Sequence, residues 1–96
     1  MRGRYYVVTD EVSGVTFYFA FDRIERDRLH ITHSHGTTPE QAIRIFVDPY
    51  ASTIYLASRR RWERHVGTGL VAWIWLDEPM RRSALILTCM EQEVSE

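Results

Sequence analysis

Near its start the chain holds two short runs of aromatic and β-branched residues. Residues 4–9 contain Tyr5, Tyr6, Val7 and Val8; residues 15–21 set Phe17, Phe19 and Phe21 against Thr16, Tyr18 and Ala20. A period of two marks strands with one buried face. The intervening segment carries Ser13-Gly14, so the pair reads as a β-hairpin over 4–21. Residues 22–28 are dense in charge and read as a solvated turn or a frayed continuation of the strand. Residues 29–32 read as a short third strand.

The period then changes. Thr38-Pro39-Glu40-Gln41 has the form of a capping box, with threonine at the N-cap, proline at N1 and glutamine at N3. Ala42, Ile43, Phe46 and Val47 follow at helical spacing and form one apolar stripe. Asp48-Pro49 stops the helix, because the residue before proline avoids the α region. A helix over 39–47 is predicted.

Residues 50–58 favour a strand through Thr53, Ile54, Tyr55 and Leu56. A basic segment, 59–66, leads through Gly67-Thr68-Gly69 into an apolar run at 70–76 that reads as a central strand, with Val71, Trp73 and Trp75 on one face. Pro79 marks a turn. Residues 83–90 return as a last strand, with Leu85, Leu87 and Cys89 alternating against Ala84, Ile86 and Thr88. The acidic tail from Glu91 reads as frayed. The expected architecture is α+β: a mostly antiparallel β-sheet of about five strands with one main helix packed on it, in a single domain over 1–96.

Composition bounds this reading. A chain of 96 residues that is 45% hydrophobic can hold one core, burying roughly 60–65% of its unfolded surface. One cysteine, Cys89, permits no internal disulfide. No N-terminal stretch carries the apolar run of a signal peptide, and the 70–76 run is too short to cross a bilayer. Cytoplasmic placement, without a membrane, is expected. All 12 basic residues counted with lysine are arginine, which is the usage of a GC-rich genome. Arg59, Arg60, Arg61 and Arg64 gather in one short segment of a chain whose net charge is −1, which points to a local anion-binding face.

Two constellations carry candidate chemistry. His30, His33 and His35 lie close together, but no acidic or thiolate partner stands nearby in sequence. No metal and no cofactor is therefore expected, and the histidines read as a polar loop in which His33 or His35 serves function. The second constellation is the segment 59–65. If it is extended, Arg59, Arg61, Glu63 and His65 share one face, with Arg60, Trp62 and Arg64 on the other. A carboxylate, an imidazole and guanidinium groups are what cleavage of RNA through its own 2′-hydroxyl requires: proton transfer in both directions and fixed positive charge on the phosphorane. On this reading Glu63, His65 and Arg61 are catalytic, with His33 and His35 as second candidate acids. Arg59, Arg60 and Arg64 bind phosphate, and Trp62 stacks a base. The plainer reading is a solvated strand face laced by cross-strand ion pairs.

The order of features adds a family resemblance. Residues 35–49, His-Gly-Thr-Thr-Pro-Glu-Gln-Ala-Ile-Arg-Ile-Phe-Val-Asp-Pro, resemble the His-Gly…Ser/Thr-Pro-Glu-Glu…Phe-x-Asp-Pro region of BrnT-like toxins, within the wider class of RelE-like and barnase-like ribonucleases. The resemblance covers about residues 29–90, and 72–78 with 84–89 look like the closing strands of that class. It implies a metal-independent ribonuclease toxin acting on RNA, with an antitoxin or other protein partner; oligomeric state is left open. The hairpin 4–21 is longer and more aromatic than such toxins usually begin with, and lysine is absent. The alternative is a non-enzymatic protein-binding module, such as an inhibitor or immunity protein from a phage or other mobile element. RNA cleavage in a chelator separates the two.

Overall fold

The computed structural model of the chain describes residues 4–92. Its order is β1 (Tyr5–Thr9), β2 (Thr16–Ala20), α1 (His30–His35), α2 (Pro39–Val47), β3 (Ser52–Leu56), β4 (Arg61–Val66), β5 (Gly69–Trp75) and β6 (Ser83–Glu91). The strands form one six-stranded sheet in the order β1-β2-β6-β5-β4-β3, in which only the β2–β6 pair is parallel. The α+β class and the dominance of antiparallel pairing agree with expectation. The sheet has six strands instead of about five, and there is a second short helix.

That helix, α1, replaces the strand expected over 29–32; all that remains of strand character there is an isolated bridge between Phe21 and Leu29. Gly36 at its C-cap adopts φ 68°, ψ 18°, and its N–H returns to the carbonyls of Ile31 and Thr32. A left-handed glycine closing a turn is a standard helix stop. One buried residue, Ile31, anchors the helix.

The capping box of α2 forms as its sequence requires: the Thr38 hydroxyl accepts from the Gln41 N–H, and the Gln41 side chain accepts from the Thr38 N–H. Ala42 and Ile45 are its buried residues. Ile43 and Phe46 pack beside them, whereas Val47, expected in the stripe, is 42% exposed. Ile45 takes that place because positions i and i+3 from Ala42 share a face. At Gly69 a Cβ would sit 2.9 Å from Ile45 Cδ1, so the Ile45 side chain packs directly over the glycine backbone.

Strand alternation then sorts the sheet into two faces. Phe17, Phe19, Val71, Trp73, Ala84, Ile86 and Cys89 face the helices and form the core with Ile31, Ala42 and Ile45. Phe46 binds this layer together, with ring centroids 4.9 Å from Phe17 and 4.7 Å from Trp73. The expected pairing of Cys89 with Leu85 and Leu87 fails for one local reason. A bulge shifts the β5–β6 register between Ala72 and Trp73, so Trp73 faces Ile86 while Val71 faces Cys89. An extra residue in one strand reverses the parity beyond it. β6 also retains Glu91 in the sheet, while the rest of the expected frayed tail, from 93 on, lies outside the described residues.

Candidate functional site

The opposite face of the sheet carries no helix among the described residues. On it lie Tyr5 and Val7 of β1, Tyr18 of β2, Leu85 of β6, Ile74 of β5, Arg61, Glu63 and His65 of β4, and Ile54 of β3, as the registers place them. Tyr5 and Val7 are each 48% exposed and Ile54 is 44% exposed. Against that background Glu63 is an exception: a carboxylate only 5% exposed on an uncovered face.

Three choices of residue explain it. Residues 61–66 are extended, so Arg61, Glu63 and His65 project from the same side, as expected. The strand partner opposite Glu63 on β5 is Ala72, fully buried and too short to displace it. Arg61 and His65 then close over the carboxylate from either side. Arg61 donates through Nε (2.9 Å) and Nη2 (2.6 Å) to Oε2, and His65 Nε2 lies 3.0 Å from Oε1. Burial pushes the Glu63 carboxyl up, but the hydrogen bonds and charges of Arg61 and His65 outweigh it and hold its pKa below the ordinary value. The carboxylate stays ionised, while the His65 side chain is 45% exposed and is the member of the cluster most open to solvent.

The other expected site residues separate from this cluster. Arg64 turns to the helix face, where Nη1 donates to Thr53 Oγ1 (2.7 Å) and Nη2 to the Asp48 carbonyl (2.6 Å). It ties the end of α2 to β3 and is spent as a latch instead of a phosphate ligand. Trp62 is on that face too, with its ring between Tyr55 (5.0 Å), Trp73 (6.5 Å, stacked) and the Arg81 guanidinium (4.9 Å). It is packing, not a base platform. Arg59 and Arg60 precede β4, in its turn with β3, and both are exposed.

His33 and His35 are on α1, across the sheet from Glu63, so they cannot share its reaction. His30 and His33 instead face Asp22, with His30 Nδ1 3.1 Å from Oδ1 and His33 Nε2 3.9 Å from Oδ2. Asp22, 7% exposed, also accepts the N–H groups of Ile24 and Glu25, both at 2.9 Å. The Glu25 N–H is the largest cause that pulls its pKa to about 2; burial opposes it, and the His30 and Ile24 hydrogen bonds and the His33 charge reinforce it. Sequence reading missed this aspartate. Its signal was available, since an aspartate followed by a charged turn commonly caps the N–H groups two and three residues on. His35 instead lines a polar cleft of about 690 Å³ with Gln41, Thr68 and Glu91.

No group of three or more His, Cys, Asp or Glu among the described residues is arranged to hold a metal ion. No helix among the described residues is long and apolar enough to cross a membrane. Comparison with protein-family models, with curated proteins and with solved structures gave no match.

Proposed function

We propose that the open face of the sheet cleaves RNA phosphodiesters without a metal ion, and that His65 is the proton-transfer group. The observation that carries this reading is the Arg61–Glu63–His65 cluster on an uncovered face. An ionised, shielded carboxylate beside an exposed imidazole fixes the orientation of the ring. His65 accepts the proton of the ribose 2′-hydroxyl as that oxygen attacks phosphorus. The bond to the 5′-oxygen then breaks, and the departing oxygen takes a proton from the imidazolium or from water. The products are a 2′,3′-cyclic phosphate and a free 5′-hydroxyl, so atoms and charge balance. Glu63 is a positioning residue, because it is too buried to touch substrate. Arg61 supplies fixed positive charge beside the reacting phosphate. The resemblance of residues 29–90 to BrnT-like and RelE-like toxins supports the same chemistry and an antitoxin as protein partner.

The experiment is incubation of purified protein with mixed-sequence RNA in excess EDTA. Cleavage is expected, and His65→Ala is expected to slow it about 10²-fold or more, the usual contribution of a general acid–base group. Intact RNA in the presence of folded wild-type protein refutes the reading.

A second reading has its own supporting observation. Beyond Arg61, an apolar row of Ile74, Leu85, Tyr18 and Val7 continues across the open face in register. Uncovered apolar sheet surface of this extent suits a protein-binding module. Intact RNA together with tight association with one protein, weakened by Tyr18→Glu, would favour that reading.

A further inference from the structure

Five described residues have left-handed backbones, and their identities divide by location. Gly14, Gly36 and Gly67 occupy three of these positions, as glycine's missing Cβ favours. The other two are Arg60 (φ 52°) and Arg81 (φ 55°). An arginine gains nothing from this conformation, and a long side chain there is an outlier that calls for a reason.

Topology places both outliers together. Arg60 belongs to the β3–β4 turn and Arg81 to the β5–β6 turn. Since Trp62 pairs with Trp73 and Trp75 with Ala84, the start of β4, the end of β5 and the start of β6 all lie at one end of the sheet. The Arg81 guanidinium reaches back to within 4.9 Å of the Trp62 ring, so the β5–β6 turn touches the start of β4, next to Arg60. Residues remote in sequence thereby build one exposed ridge of Arg59, Arg60, Arg81 and Arg82. The nearby carboxylates are largely committed: Asp77 accepts the N–H groups of Arg82 and Ser83, and Glu78 pairs with Arg81. Arg59, Arg60 and Arg82 make no ion pair among the described residues. Tyr55, 50% exposed, flanks the ridge and offers a stacking surface.

We infer that this end of the sheet grips the phosphate backbone of single-stranded RNA and leads it to the open face. The inference rests on the RNA reading above and extends it to a second surface. Arg60 adjoins Arg61, and a rise of about 3.3 Å per residue sets His65 roughly 16 Å away, a span of a few nucleotides. Arginines combined with an exposed aromatic ring are the recognition set for single strands.

The test measures binding of a fluorescein-labelled, fully 2′-O-methylated RNA oligonucleotide, which cannot be cleaved, across a salt series. Arg59→Ala/Arg60→Ala/Arg82→Ala is compared with wild type and with a charge-matched control, Arg23→Ala/Arg26→Ala/Arg28→Ala, in the loop at the other end of the sheet. At about 0.7 per phosphate contact, loss of three contacts flattens the slope of log affinity against log salt by about 2. The ridge variant is expected to show that flattening with at least tenfold weaker binding, and the control to keep the wild-type slope. In Arg60→Gly the melting temperature is expected to rise while binding falls. Equal slopes in ridge variant and wild type, equal loss in the control, or absence of wild-type binding each overturns the ridge. So does a lower melting temperature in Arg60→Gly. Because the probe cannot be cut, wild-type binding through the ridge without cleavage of ordinary RNA would sink only the nuclease reading.

Discussion

The two faces of the sheet are made from the same strands, yet they bury different chemistry. On the helix side, Phe17, Val71 and Cys89 are fully buried, and Trp73 is 2% exposed. On the open side, the residues one step along the same strands, Tyr18 and Ile74, remain only partly covered. Glu63 reverses the trend, since it is nearly as buried as the core without any helix above it. Its cover is Arg61 and His65. The arginines of β4 show the same division: Arg61 encloses a carboxylate on the open face, while Arg64 latches α2 from the other. Burial on one side therefore serves stability, and burial on the other holds an ion cluster in fixed geometry.

Core truncation should separate the faces most sharply. Phe17→Ala is expected to cost about 3–5 kcal/mol by creating a cavity, whereas the neighbouring Tyr18→Ala should cost about 1 kcal/mol or less. Denaturant titration of both variants checks this, and equal costs would mean that something covers the open face. Glu63→Gln comes next. It removes the charge that Arg61 and His65 share, with an expected loss of about 1.5–3 kcal/mol, since hydrogen bonds to charged groups are worth that much. Arg64→Ala should cost about 1–2 kcal/mol through loss of the Thr53 and Asp48 contacts, yet leave RNA cleavage intact. A cleavage defect equal to that of His65→Ala would put Arg64 back in the site.

Acid sensitivity separates the ion clusters from the core. Asp22 and Glu63 both have carboxyls held below their ordinary values in the folded chain. Their stabilisation is therefore complete above the unfolded carboxylate pKa of about 4 and is lost as pH falls through the folded values, for Asp22 down to about 2. Thermal melts from pH 5 to pH 2 should show this decline, and Asp22→Asn should flatten it. The smallest effect expected is at Arg60, where replacement by glycine should gain about 1 kcal/mol by relieving the left-handed backbone.

Local signals in the sequence carried much of this. The capping box and Asp48-Pro49 bound α2 at Pro39–Val47, because each acts through neighbouring backbone groups. Glu63 and His65 were legible as a pair for the same reason, since period-two alternation needs only an extended chain. What was not legible depends on contacts distant in sequence. Residues 29–32 alternate like a strand and become helix because Ile31 is drawn into the core and Gly36 stops the turn. The β6 bulge that moves Cys89 to the helix face is decided by pairing with β5. Arg64 looked like a phosphate ligand until Asp48 and Thr53 claimed its nitrogens, and His33 looked like an acid until α1 placed it behind the sheet.

In the proposed mechanism an imidazole held by a buried carboxylate cuts RNA through the substrate's own 2′-hydroxyl. The most direct measurement uses a short RNA with a single mapped cleavage site, incubated in EDTA, and a matched strand with 2′-deoxyribose on the 5′ side of that bond. A 2′,3′-cyclic phosphate terminus is expected from the first strand, and no cut at that position in the second. Scission of the deoxy-substituted bond, or equal cutting by His65→Ala, would contradict it.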